Sequence, residues 1–289
     1  MKTRILSGIV LIVVMLSLVY LGGIPMAVIF GICSIIGFLE LTNAMRVDSD
    51  DSNNPLSQKR ETCILDLLGI AGTIYIYIVQ YFFGDGNKVL FGIVALLVLF
   101  LMIYVFTYPR YSTDKILKTF FSFVYASVIF SYFFATRNFS GQFDTEHFNT
   151  GFYAVIMILI SSWGSDTFAY FTGVSIGKHK IFPILSPKKS LEGCIGGVIG
   201  SGILGALYGL LLNKMGVCAS KFILYFGILC MAGSIVGQVG DLAASGIKRN
   251  YKIKDYGKLI PGHGGIMDRF DSVILISPFV YCICDLFLK

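Results

Sequence analysis

Apolar residues neither alternate along this chain nor recur at amphipathic spacing; they run on in continuous blocks of about 20, broken by short polar stretches. A block of that length suits a helix crossing a hydrocarbon core of about 30 Å, where every backbone polar group must be bonded inside the segment. The runs fall at roughly 5–21, 24–43, 63–83, 89–107, 116–136, 151–173, 193–213, 221–244 and 271–288. Membrane strands would show alternation in shorter pieces, which is not seen. The pattern predicts an all-α, polytopic integral membrane protein of about nine transmembrane helices. Met1, Lys2, Thr3 and Arg4 precede the first run as they would in a signal peptide. No small-residue cleavage site follows, and the next run starts at Ile24, so the first run is expected to stay as a helix.

Composition sharpens this picture. Mean hydropathy is +0.77 and only 14% of the 289 residues are charged, against about 25% in soluble domains. When the loops are assigned alternately to two sides, eighteen of the 23 Lys and Arg residues fall on the side of the N-terminus. The other side holds Lys88, Arg137, Lys214, Lys221 and Lys289. Basic loops stay inside, so the N-terminus is expected to be cytoplasmic and the two long polar loops of the C-terminal half to face the cytosol. The net charge of +6 is thus concentrated in those loops, and without a recognition motif it does not point to nucleic acid. The seven cysteines are odd in number, lie mostly in apolar runs and form no CxxC, so they read as small buried hydrophobes.

Two halves are expected: residues 1–137 as a scaffold of about five helices, and residues 150–289 as a catalytic half of about four helices with two cytosolic motif loops. Polar stretches at 46–60 and 137–150 read as connectors. Glu40, near the cytosolic end of the second run, is expected to be structural and to pair with Arg46.

The most polar long stretch is 245–271, SGIKRNYKIKDYGKLIPGHGGIMDRFD. It holds Lys248, Arg249, Lys252, Lys254, Lys258 and Arg269, three aspartates (Asp255, Asp268, Asp271) and a turn at Pro261, Gly262, His263, Gly264 and Gly265. Carboxylates suit a hard divalent ion, while bases and free backbone N–H groups suit phosphate oxygens. Upstream, Ser162, Asp166 and Tyr170 are four apart and should share a helix face. A basic loop follows, with Ser186, Lys188, Lys189 and Ser190, and Ser190-Leu191-Glu192 reads as a helix start. Ser234, Gln238, Asp241 and Ser245 form a polar stripe that Lys248 and Arg249 extend if the helix continues. Asp268 and Asp271 share a face if the last helix begins near Gly265. All four acids, Asp166, Asp241, Asp268 and Asp271, are expected near the cytosolic third of the membrane. His263 is read equally as a phosphate contact or as packing within its turn.

In order, Ser245, Lys248-Arg249, Lys254-Asp255, Gly257, Pro261, His263-Gly264-Gly265, Asp268-Arg269 and Asp271 resemble the signature of the phosphatidate cytidylyltransferase (CDP-diglyceride synthase) family. The block Ser165-Asp166-Thr167, Ala169-Tyr170, Gly173, Gly177-Lys178, Ser186-Pro187-Lys188-Lys189-Ser190 and Glu192-Gly193 is also similar to that family, as is Gln238 with Gly240-Asp241-Leu242. The likeness covers about the C-terminal half. It implies transfer of the cytidylyl group of CTP to phosphatidate, with Mg2+, a second cation such as K+, and assembly as a homodimer in a bacterial cytoplasmic membrane, the active site facing the cytosol. On that basis Asp241 and Asp268 are the first expected metal ligands, with Asp271 and Asp166 next. Lys188, Lys189, Lys248, Arg249 and Arg269 would hold phosphates, and Ser186, Ser190 and Ser245 would add hydroxyl contacts. A CTP-dependent polyprenol kinase and a transporter of anionic solutes are the alternatives.

Overall fold

The computed structural model describes residues 2–46, 63–84, 86–140, 150–260 and 264–287, with side chains from Gly8 onward. Most of both predicted connectors, and Pro261, Gly262 and His263, lie outside the described residues, so the reading of His263 is not tested. The helices are α1 (Lys2–Leu21), α2 (Gly23–Arg46), α3 (Ile64–Phe82), α4 (Gly86–Thr107), α5 (Thr113–Arg137), α6 (Thr150–Ile176), α7 (Leu191–Lys214), α8 (Lys221–Asn250) and α9 (Met267–Phe287). Among the described residues there is no strand, and α2 to α9 are each long and apolar enough to cross a membrane; α1 carries the shorter apolar stretch Gly8–Leu21. The chain is an all-α polytopic membrane protein. It falls into two compact units, Met1–Phe134 with Ile247–Arg269, and Ala135–Gly246 with Phe270–Lys289.

In the first unit an aromatic core, with Phe30 stacked on Phe133 at 4.8 Å between ring centroids, is interleaved with buried polar pairs. Ser34 bonds Tyr77 at 2.8 Å, Thr73 bonds Ser127 at 2.7 Å, and Gln80 donates to Ser131 at 2.8 Å. Where lipid offers no hydrophobic drive between helices, such bonds and close packing hold them together, at about 0.6 kcal/mol per bond. Arg46 does not pair with Glu40, as the sequence suggested. Its guanidinium binds Asp66 at 2.9 Å and also donates to Thr119. Residues six apart on a helix do not share a face, and Asp66, fully buried, also accepts from the Cys63 amide at 3.2 Å to start α3.

The second unit is built on small residues. Gly193, Gly197, Gly200, Ser201, Gly205 and Gly209 of α7 are buried. A β-carbon on Gly200 would overlap the Phe168 ring of α6, and one on Gly205 would come within 2.6 Å of the Phe226 carbonyl of α8. Small residues at this spacing let membrane helices approach backbone to backbone.

Both α5 and α6 contain a π-helical turn, at Val124–Ile129 and Ile160–Gly164. The second overturns the expectation that Ser162, Asp166 and Tyr170 share one face. Ser162 is buried against Ser272 at 2.7 Å, whereas Asp166 is exposed and Tyr170 is 67% exposed. The wider turn rotates the register between them.

Replacing Gly205 with Val should overpack the α7–α8 contact and cost about 1–3 kcal/mol. A lowered unfolding midpoint in detergent micelles, with Ile203→Val on the exposed face as control, is the expected result; equal midpoints would mean the approach at Gly205 carries no weight.

Candidate active site

In the second unit, chemistry gathers where α6, α7 and α8 meet the loop joining α6 to α7. The loop is folded onto the start of α7. Ser190 caps that helix, accepting the Gly193 amide at 3.2 Å. Glu192 accepts from the backbone of Lys178 at 3.1 Å and of His179 at 3.3 Å, and meets His179 Nδ1 at 2.6 Å. An acid in the first turn also suits the positive end of the helix. Ser190 is only 3% exposed, and β-carbons on Gly173, Gly177 and Gly193 would all press on its hydroxyl. Its hydroxyl oxygen thus helps hold the loop on the start of α7. Lys178, Lys180 and Lys188 are exposed, Lys180 donating to the Lys188 carbonyl at 3.2 Å, and Ser186 is half-buried.

The predicted stripe on α8 divides by depth. Ser234 is buried and bonds Ser165 at 2.7 Å, and Gln238 donates to the Cys194 carbonyl at 3.1 Å, so this part seals a helix interface. One turn on, Asp241 is partly exposed and meets Lys189 at 2.5 Å. Asp166 interacts electrostatically with both Asp241 and Lys189. Asp241 and Lys189 thus form a partly exposed ion pair within electrostatic reach of Asp166. Ser245 lies one further turn along, partly exposed, and Asp271 of α9 is half-buried, accepting the Ser272 amide at 2.9 Å.

In the first unit Asp268 is the focus. It is 7% exposed, and both its oxygens are used: Oδ1 accepts from Lys248 Nζ at 2.9 Å, and Oδ2 accepts from the amides of Tyr256 at 2.8 Å and Gly265 at 3.0 Å. The chain reaches these donors through two sharp turns. At the end of α8 the Ile253 amide returns to the Lys248 carbonyl and the Lys252 amide to that of Arg249, closing a Schellman motif with Lys252 in the left-handed region at φ 53°. Farther on, the Ile260 amide bonds the Gly264 carbonyl at 2.9 Å, and Gly264 has φ +87°, where a β-carbon would press on Asp268. Arg249, Lys254, Asp255, Lys258 and Arg269 are exposed.

Sequence reasoning set Glu40 aside as structural, yet its carboxylate lies against this segment and accepts the Met267 amide at 3.1 Å. A β-carbon on Gly257 or on Gly265 would overlap it. The available signal was an acid inside an apolar run, which is costly without a partner.

Among the described residues no three acidic, His or Cys side chains converge on a metal-sized space. Mg2+ does not require such a cage, because it keeps waters and takes one or two carboxylates together with substrate phosphates. Asp241, partly exposed beside Lys189 and within electrostatic reach of Asp166, fits that donor set. Asp268 fits it less directly: Oδ1, with one bond, keeps a lone pair, but the group is already bound to three donors.

Among the relatives of this chain are proteins named phosphatidate cytidylyltransferase. The chain is 30% identical to one from Bacillus subtilis (strain 168) over 293 residues, covering 99% of this chain and 98% of that protein. It is 31% identical to one from Staphylococcus aureus (strain COL) over 284 residues, 97% of each. It is 40% identical to one from Thermotoga maritima over 131 residues, 44% of this chain and 47% of that protein. The model of the cytidylyltransferase family matches residues 2–287, and the chain belongs to that family.

Proposed function

We propose that this protein transfers the cytidylyl group of CTP to phosphatidate. A phosphate oxygen of the lipid forms a bond to the α-phosphorus of CTP, the bond from that phosphorus to the β-phosphate bridge breaks, and CDP-diacylglycerol and pyrophosphate leave. The observation that carries this reading is the ion pair of Asp241 and Lys189 in a chain of the cytidylyltransferase family.

The lipid phosphate is already ionised near neutral pH, so no strong base is needed. The obstacle is the approach of two polyanions and the charge that develops on pyrophosphate, which fixed cations relieve. In the second unit Asp241 and Lys189 stand side by side, and in the first Asp268 and Lys248 do. Each pair offers a carboxylate for a hard cation and an ammonium for a phosphate oxygen. Asp241 with Asp166 is our first choice to hold Mg2+, with Asp271 of the same unit a further ligand, and Asp268 is the candidate ligand in the first unit. Bound there, Mg2+ would neutralise phosphate oxygens and fix an in-line geometry. Lys188, Arg249 and Arg269, all exposed, would draw in anions, with Ser186 and Ser245 as hydroxyl contacts.

The proposal includes a bacterial cytoplasmic membrane, a cytoplasmic N-terminus about nine spans from the other end, an active site facing the cytosol, and a homodimer that also uses a second cation such as K+. The bias of Lys and Arg to one set of loops supports the orientation.

Purified protein given phosphatidate, labelled CTP and Mg2+ in micelles should yield labelled CDP-diacylglycerol and pyrophosphate; release of CDP with a phosphorylated lipid would mean a kinase instead. Chelation of divalent ions with EDTA should abolish turnover, and Mg2+ should restore it.

Asp241→Asn, which keeps the shape and removes the charge, should lower kcat/KM about 100-fold or more with the protein still folded in the membrane. Activity within about threefold of the unaltered protein would take Asp241 out of the site. Asp268→Asn should cost similarly in rate and, by leaving Lys248 without its buried counter-charge, also lower the unfolding midpoint, equivalent to about 3–5 kcal/mol.

A further inference from the structure

Glu40 lies more than 200 residues before the signature segment in sequence, yet it is built into it. Three contacts make the join, all within the first unit. The Glu40 carboxylate accepts the Met267 amide at 3.1 Å, with the Ile266 amide also directed at it. The same carboxylate occupies the space where side chains at Gly257 and Gly265 would be. Three residues before Glu40, on the same helix face, Gly37 leaves room for the buried Met267 side chain, whose sulfur would lie 3.0 Å from a β-carbon there.

These residues are the immediate neighbours of the groups that hold Asp268. Tyr256 and Gly265 donate the two amides that Oδ2 accepts, and Glu40 packs on Gly257, next to the first, and on Gly265, which is the second. Met267, tied to Glu40, directly precedes Asp268 and begins α9. The segment's glycines are therefore small because a carboxylate from another helix fills their side-chain space.

We propose that Glu40 is a positioning residue for the signature segment: its carboxylate clamps Gly257, Gly265 and the start of α9, so that the Tyr256 and Gly265 amides and Lys248 meet Asp268 in one fixed arrangement. This rests on Asp268 serving the reaction proposed above. An ion pair that must be held within about an ångström of its working place loses rate steeply when its support shifts, by up to about 100-fold.

Glu40→Ala should lower kcat/KM about 10- to 100-fold, and Gly265→Ala, which drives a methyl group into the carboxylate, should lower it to a similar extent. In the double variant the methyl group meets the space the carboxylate has left, so the losses should not add, and activity should be no lower than with Glu40→Ala alone. A general loss of stability would instead give independent, multiplying losses, and that result would overturn the proposal, as would full activity in Glu40→Ala. Amide hydrogen exchange over residues 253–268 supplies a readout that needs no turnover: it should quicken several-fold in Glu40→Ala and less in Glu40→Gln, which keeps the bulk and one acceptor oxygen. Unchanged exchange in both variants would overturn the clamp. If the unaltered protein makes no CDP-diacylglycerol, the proposed reaction falls, while the exchange measurement still decides the role of Glu40.

Discussion

A carboxylate taken out of water must be given donors, and the signature segment is shaped by that requirement at Asp268. Three donors reach it: an ammonium from the end of α8 and two backbone amides from the turn that follows. Neither amide could arrive without the left-handed turns at Lys252 and Gly264. Breaking one partner out of such a buried pair leaves an uncompensated charge, which costs far more than the intact pair contributes. The conformation of the described residues between α8 and α9 is thus dictated less by their own propensities than by one acid that must be satisfied.

The same rule separates the acids from the neutral polar residues in the second unit. Along α8, Ser234 and Gln238 find protein partners inside the helix interface, and the next polar position, Asp241, finds a lysine and solvent. A neutral side chain in hydrocarbon can be satisfied by one or two hydrogen bonds. A carboxylate needs a cation or water, and so it sits where the helix nears an opening. The small-residue face of α7 makes this arrangement possible, because it lets the backbones of α6 and α8 pack closely against it.

Most of the helical plan was legible in the sequence because continuous apolarity leaves a membrane segment no other way to satisfy its backbone. The helices begin and end within a few residues of the apolar runs, the largest difference being α8, which continues from the predicted edge near 244 to Asn250. The helix start at Ser190-Leu191-Glu192 was legible too, with Ser190 as the capping residue. The π-turn at Ile160–Gly164 left no mark in the pattern, and with it went the supposed common face of Ser162 and Asp166. The partner of Arg46 was misjudged because sequence proximity was taken for spatial proximity, when a spacing of six turns two side chains away from each other.

Glu40 shows where such reading stops and why. Its position inside an apolar run gave notice that some partner had to exist, and the glycines at 257 and 265 gave notice that something had to lie close to them. Each observation was visible alone, and neither names the other, since turn glycines are ordinarily explained by backbone conformation. Yet Gly257 and Gly265 are absent from the positive-φ positions of the described residues, whereas Gly264 between them is present. Backbone geometry therefore accounts for Gly264, and only an occupant of side-chain space accounts for its two neighbours in the motif. A chain that places an acid on α2 to fill that space has tied its N-terminal helices to the signature segment. Those helices then do more than support: they supply one wall of the mould in which Asp268 is set.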